Sequence, residues 1–306
     1  MLDLKNAGER EALLRLCDGA DVLVESFRPG VADRLGIGYA GLKARNPRLV
    51  YCSISAFGQT GSYRHRPAHD LALQAASGAL GLTLGADGEP AMPAIAVADH
   101  LSALQGLSAI LMALLRRTTT GCGDYIDIAM HDAMLAATAN ITGPTFAERR
   151  QPVARHERTT GGAAFYQIYR TRDGRHVVLA GQEEKFIHTL LQALGRPDLA
   201  PPCTRGPGPH QQPVIAFLQE CFAKLSLAEA VAWLATLDVC FAPVNTLPEA
   251  FDDENVHARD MVLLDELGRR HIAPAIRFHE EPSRPSLREP QLGEHDAAAL
   301  GTARLK

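Results

Sequence analysis

The chain has 306 residues, of which 46% are hydrophobic and 22% charged, with a formal net charge of −4. That length leaves room for two domains or one large one with ample apolar surface to bury, and the composition is that of an ordinary globular protein. No basic block of the kind that grips nucleic acid is present, no apolar run reads as long enough for a membrane span, and Met1-Leu2-Asp3-Leu4-Lys5 lacks the pattern of a signal peptide. The six cysteines are scattered and form no C-x-x-C pair, which points to reduced thiols in a cytoplasmic protein and offers no zinc-ligand spacing.

In chain order, Asn6 is placed to cap a helix over about 8–17, and Asp21 to Val24 reads as a short buried strand. Pro29-Gly30 is a turn, followed by two short helices over about 31–35 and 39–44. Leu49 to Ser55 is a second strand, set off by Asn46-Pro47 before it and Gly58 after it. A helix over about 70–79 comes next, then Ala94 to Ala98 as a short apolar strand ending at Asp99. The clearest helix follows, with Leu101, Leu104, Leu107, Ile110, Leu111 and Leu114 at helical spacing and Arg116-Arg117 at its C-terminal end, where the helix dipole favours cations. Gly121 to Gly123 turn the chain into a strand at Tyr125 to Ile128. Alternation of this kind predicts an α/β domain with a parallel sheet covered by helices, over 1–147.

Arginines and paired glycines over 148–162 read as an exposed linker. A smaller α+β domain is expected over 163–270. Phe165 to Arg170 and His176 to Ala180 flank Asp173-Gly174 as a hairpin, and Ser226 to Glu229 is a capping box. Pro201, Pro202, Pro207 and Pro209 mark a loop between helices, and the Pro-rich, charged stretch 271–306 is expected to pack back on the first domain.

Asp99 is the first candidate chemical group. An aspartate between a strand and a helix is a favoured N-cap, and a carboxylate at a helix N-terminus is held ionised and able to attack an acyl group. The two readings are compatible. His69-Asp70 and Glu183-Glu184-Lys185 are further titratable pairs, with surface placement as the plain alternative. Gly36, Gly38 and Gly41 match G-x-G-x-x-G, but a helical stretch precedes them and Asn46-Pro47 follows soon after, so a turn between helices is expected rather than a phosphate loop. No Walker pattern and no G-x-S-x-G elbow occurs.

Several stretches, taken together, resemble the family III CoA-transferases, a superfamily that includes formyl-CoA and carnitine CoA-transferases and α-methylacyl-CoA racemases. They are Leu2 to Lys5, A-D-V-L-V-E-S-F-R-P-G from Ala20, Asp33 to Gly36, N-P-R-L-V-Y-C-S-I-S-A-F-G-Q-T-G from Asn46, A-V-A-D ending at Asp99, T-G-C-G-D-Y-I-D-I from Thr120, Ala242 to Val244 and Leu292 to His295. The resemblance implies a Rossmann-like large domain built from both chain ends, a small α+β domain in the middle, and two interlocked subunits. It assigns Asp99 as the aspartate that forms an acyl anhydride and then an aspartyl-CoA thioester. It also matches Lys5, Ser26, Phe27 and Arg34 to the CoA nucleotide site, Ser26 standing where an asparagine is expected. Coenzyme A enters as part of the acyl-CoA substrate, beside a carboxylic acid. No permanent cofactor, metal, nucleic acid or membrane is implied.

His69 stands where many of the transferases have a tyrosine and the racemases a catalytic histidine. Asp70 beside it joins the catalytic set, and Glu183 resembles the glutamate that orients that histidine. A His and an Asp on opposite faces of an α-carbon are able to remove and return a proton. The residues after Asp99, His100-Leu101-Ser102-Ala103-Leu104-Gln105, are closer to the transferases than to the glycine-rich run of the racemases. Family proteins carry a further stretch before the segment that here follows Met1, enough for a first strand, a helix and part of the CoA pocket. Its absence implies a fragment or an early-truncated frame, and an inactive product or regulatory partner is the non-enzymatic reading.

Overall fold

A computed structural model describes residues 1–296. They form two compact units. One contains Met1–Ala154 with the described residues from Gly293, and the other Arg155–Leu292. The change of unit falls inside the stretch 148–162. That stretch is not purely a linker, since Ala154 is buried and begins a short 3-10 turn. The return to the first unit begins only at Gly293, later than composition suggests, and the residues before it line a cavity with the hairpin of the second unit. The rest of the expected C-terminal return, from 297, lies outside the described residues.

In the first unit, Asn6 caps α1 (Ala7–Gly19), its side chain accepting from the Gly8 and Glu9 amides. Strand β1 (Val22–Glu25), the short helices α2 (Val31–Arg34) and α3 (Tyr39–Arg45), and β2 (Val50–Ser55) follow. Then come α4 (Asp70–Ala76), α5 (Val97–Thr120), β3 (Tyr125–Ala129), α6 (Met130–Ala137) and α7 (Gly143–Glu148). The three strands form a parallel sheet in the order β1-β2-β3, with Val22 opposite Val50 and Tyr51 opposite Tyr125. Val50, Tyr51, Cys52 and Ser53 are all buried, as expected of a central strand covered on both faces.

One face holds a cluster of Cys17, Leu42, Leu49 and Tyr51, with the rings of Tyr39, Tyr51 and Tyr125 between 5.0 and 5.8 Å apart. The Asn46 amide ties α1 down by donating to the Cys17 and Ala20 carbonyls at 2.9 Å each. On the other face, α5 packs on β2, β3, α4 and α6. Gly106 permits its close approach, since a Cβ there would stand 3.2 Å from Ile54 Cδ1. The Gly36–Gly41 stretch is a turn between helices: Gly36 has φ +75° and Gly38 is the N-cap of α3.

Several expectations are corrected. Ala94 to Ala98 is not a strand, and Asp99 is not a cap. The helix already begins at Val97 and its N-cap is Ala96. A short apolar run carries no periodicity that separates strand from helix start, and the capping carboxylate comes from Asp70 instead. The buried stripe of α5 is made of small residues, Ala98, Ser102, Gly106 and Ala113, while Leu104, Leu107, Leu111, Met112 and Leu115 face outward and exposed. By length and composition alone this helix is also sufficient to cross a membrane, contrary to the reading that no run reaches that size. Helix α4 ends at Ala76 because Gly78 turns left-handed, with φ +81°.

The second unit is built on β4 (Tyr166–Arg170), β5 (His176–Ala180) and β6 (Phe241–Pro243), all antiparallel. Between them run α8 (Glu184–Ala193), α9 (Ala200–Thr204), α10 (Gln212–Phe222) and α11 (Leu227–Leu234). Pro201 and Pro202 lie in the first turn of α9 rather than in a loop, since a proline there gives up no helical hydrogen bond. Tyr169, Leu190, Val214, Leu218 and Phe222 are at the centre of the core, and the Tyr169 hydroxyl donates to the Ala164 carbonyl at 2.6 Å. Ser226 and Glu229 form the expected capping box. Helices α12 (Leu247–Phe251) and α13 (Glu254–Ala258) and the hairpin β7 (Val262–Leu264) and β8 (Arg270–Ile272) complete the unit.

Candidate active site

The C-terminal end of β2, the loop after β1 and the starts of α5 and α6 surround a cavity of about 420 Å³ in the first unit. Ser26, Phe27, His69 and Asp99 line it together, as do Ser55, Ser102 and the guanidinium residues Arg28, Arg64 and Arg66. In an α/β sheet this end of the strands is where ligands bind.

Asp70 holds the arrangement from behind. Its Oδ1 accepts from the Ala98 amide at 2.7 Å and the Asp99 amide at 3.2 Å, while Oδ2 accepts from Gln74 Nε2 at 2.6 Å. Asp70 is also the first residue of α4, whose N-cap is His69. One carboxylate therefore joins the starts of two helices and fixes the backbone that bears both His69 and Asp99. It satisfies two of the amides that a helix N-terminus leaves free. The side chain of Asp99 is thereby excused from capping, and it has no hydrogen bond or ion pair among the described residues. It stands in the first turn of a 24-residue helix, where the dipole favours negative charge. The Ser102 hydroxyl donates to the Asp99 carbonyl at 3.0 Å and stiffens that turn.

Arg28, Arg64 and Arg66 are exposed and have no carboxylate partner among the described residues. The Arg66 guanidinium lies 5.0 Å from the centre of the Tyr63 ring. Three uncompensated cations on one cavity favour an anionic ligand. Cys52 lies on β2 ahead of the cavity-lining Ile54, but burial pushes its thiol up to about 11, with the charges of Glu25 and Asp127 adding to the effect. It is no thiolate nucleophile at neutral pH.

The other expected residues do not line the cavity. Arg34 ends α2 and lays its guanidinium over Gly30, with Nη1 3.4 Å from where a Cβ would stand. Lys5 is exposed ahead of α1. Glu183 belongs to the second unit, as the N-cap of α8 without a side-chain capping bond. Sequence reasoning misses Ser55, Arg28 and Arg64, and it sees Asp70 only as a neighbour of His69. The Arg66-Pro67 pair is visible, but nothing in its spacing connects it to Asp99. A larger cavity of about 770 Å³ lies in the second unit, lined by parts of 260–287, and contains none of these groups. No cluster of three or more metal-ligating side chains occurs among the described residues.

A helix-borne free carboxylate, an imidazole and a cationic rim on one cavity make a candidate site for an anionic ligand. The sequence model of CoA-transferase family III matches residues 1–296, and the chain belongs to that family. It is 30% identical to the succinyl-CoA–L-malate CoA-transferase beta subunit of Chloroflexus aurantiacus, over 98% of this chain and 76% of that protein. It is also 33% identical to the human α-methylacyl-CoA racemase, over 98% of this chain and 79% of the racemase. Among solved structures, a CaiB/BaiF family protein from Brucella suis superposes with a TM-score of 0.82 at 32% identity, covering 99% of this chain and 80% of that one.

Proposed function

We propose that this chain moves CoA from an acyl-CoA thioester to a carboxylic acid through covalent intermediates on Asp99. The observation that carries the reading is the Asp99 carboxylate, relieved of capping by Asp70 and unpaired on the wall of a cation-rimmed cavity. An Asp99 oxygen attacks the thioester carbonyl. The C–S bond breaks, CoA leaves as thiolate, and a mixed anhydride forms. The thiolate then attacks the aspartyl carbonyl, releasing the first acid as carboxylate and leaving an aspartyl-CoA thioester. The acceptor carboxylate reverses these two steps and leaves as the new acyl-CoA, with Asp99 restored. Splitting one transfer into successive displacements on an enzyme carboxylate is covalent catalysis. Lys5, Ser26, Phe27 and Arg34 are assigned to the CoA nucleotide, a cation for phosphate and an aromatic ring for adenine.

His69 in the same cavity supports a second reading, a racemase in which His69 and Asp99 exchange the α-proton of a 2-methylacyl-CoA and Glu183 orients the histidine. The two are separated by incubation with a 2-methylacyl-CoA in D₂O and, separately, with an acyl-CoA and a free carboxylate. A new thioester that disappears in Asp99→Ala, without deuterium uptake, supports transfer; deuterium at the α-carbon without a new thioester rules it out. Hydroxylamine trapping during turnover, with a hydroxamate located at Asp99 by mass spectrometry, is the direct mark of the covalent path.

The working form is assigned as a homodimer in the reducing cytoplasm. The exposed apolar residues along α5 and the six unpaired cysteines support that assignment. Sedimentation of the purified chain as a monomer at micromolar concentration would remove the dimer from it.

A further inference from the structure

Among the described residues, one buried side-chain oxygen or nitrogen lacks a hydrogen-bond partner: the hydroxyl of Ser55. Ser55 is 7% exposed, ends β2 opposite Ala129, and lines the cavity that holds Asp99. Its neighbour on the same face of the strand, two residues back, makes the contrast clear. Ser53 is fully buried too, but its hydroxyl accepts from Gln59 Nε2 at 2.7 Å. Buried hydroxyls are paired as a rule, and an exception on a cavity wall is accounted for by a ligand that supplies the missing partner.

We infer that the Ser55 hydroxyl is a substrate-contacting group that donates its hydrogen bond to the carbonyl oxygen of the bound acyl thioester. The inference rests on the acyl-CoA reading above. The carbonyl is favoured over the phosphates by burial. The cations of the cavity, Arg28, Arg64 and Arg66, are exposed, where a phosphate keeps part of its hydration. Ser55 is buried, and Ile54, Ala56, Ala103 and Met130 line the same cavity. A neutral thioester tolerates such apolar neighbours, provided its one strong acceptor meets a donor. When Asp99 attacks, negative charge gathers on this oxygen and the bond strengthens, so the hydroxyl assists the displacement while its proton stays on Ser55. Ser55 makes no covalent bond in this scheme.

The test uses wild type, Ser55→Ala and Ser55→Cys with acetyl-CoA, succinyl-CoA and a 2-methylacyl-CoA as donors, and CoA alone as a binding probe. Ser55→Ala should lower kcat by about 10²-fold, the usual effect of losing one donor to a developing oxyanion. Affinity for CoA alone and thermal midpoint should stay within error of wild type, and Ser55→Cys, a weak donor, should fall between. In an Asp99→Asn background, the infrared C=O stretch of bound ¹³C-carbonyl acyl-CoA should lie at lower wavenumber with Ser55 intact than after Ser55→Ala. Wild-type turnover with an unaltered Ser55→Ala overturns the Ser55 assignment alone. Equal loss of kcat, CoA binding and thermal stability makes Ser55 structural and also overturns it. A wild type that neither binds CoA nor turns over any donor overturns both this assignment and the function on which it rests.

Discussion

The Asp70 carboxylate accepts the backbone N–H of Asp99 at 3.2 Å, so one acidic residue performs the capping that leaves the other acidic side chain free. The division of labour has a measurable signature. Asp70→Ala removes the acceptor for Ala98 and Asp99 and should cost about 1 kcal/mol of stability, as a lost N-cap does. It should also lower kcat by about 10- to 100-fold, because small misplacements of a reacting group are expensive in rate. Asp70→Asn keeps an acceptor oxygen for the helix, and Gln74 has only to turn its amide to meet the new NH₂. Recovery of most of the lost kcat in the Asn variant identifies positioning; an Asn variant as slow as Ala assigns a role to the charge itself.

The exposed arginines should act through affinity. Neutralising Arg66 to Gln is expected to raise KM or Kd for CoA severalfold and leave kcat and melting temperature nearly unchanged. The effect should shrink as salt rises from about 0.05 to about 0.5 M, since exposed charges are screened within a Debye length. Isothermal titration at two ionic strengths reads both quantities.

Gly123 carries a steric constraint near the entry to β3. A Cβ there would stand 2.0 Å from the Leu49 carbonyl oxygen, a backbone atom just ahead of β2 that cannot swing aside. Gly123→Ala should destabilise the first unit by about 2 kcal/mol or more, in the range of overpacked sites. A denaturant midpoint equal to that of wild type would show that the strands can separate there at no cost.

The second unit has its own acid-sensitive link. The Arg175 guanidinium on the approach to β5 holds Glu249 Oε2 at 2.8 Å, and Glu249 also receives the Thr246 amide at the start of α12. The Arg175 bond, then those from Thr246, lower the Glu249 carboxyl to about 2. A depressed folded-state value means the contribution is present above the ordinary glutamate range and is lost as pH falls from about 4.5 toward about 2. Carbon-13 NMR of the Glu249 carboxyl should show a midpoint well below those of exposed glutamates, and Arg175→Gln should return it toward them.

The strands and short helices of the first unit were legible because each is bounded by a residue with one local use: Asn6 as a cap, Gly30 at φ +80°, Asn46 before β2, Gly121 as the left-handed end of α5. What was not legible depends on distance along the chain. Asp70 and Asp99 are 29 residues apart, so no local pattern reveals that one supplies the other's cap. The leucine spacing of α5 announced a helix without saying that its buried stripe is made of small residues, which let a helix approach a sheet more closely than leucines do. The family motifs marked Asp99, His69, Ser26 and Phe27, and the structure brings these four to one cavity. Ser55 stood inside the longest of those motifs, yet its missing partner is a property of packing and not of spelling.

Helix α5 runs unbroken over 24 residues like a rod, bears Asp99 in its first turn and carries its exposed leucines and Met112 further along. Anything that settles on that outer face, a second copy above all, stiffens the rod that aims the carboxylate. Turnover per chain would then depend on how many chains share the solution: a dilution series should give a curved plot of rate against enzyme concentration, bending downward where the face comes uncovered.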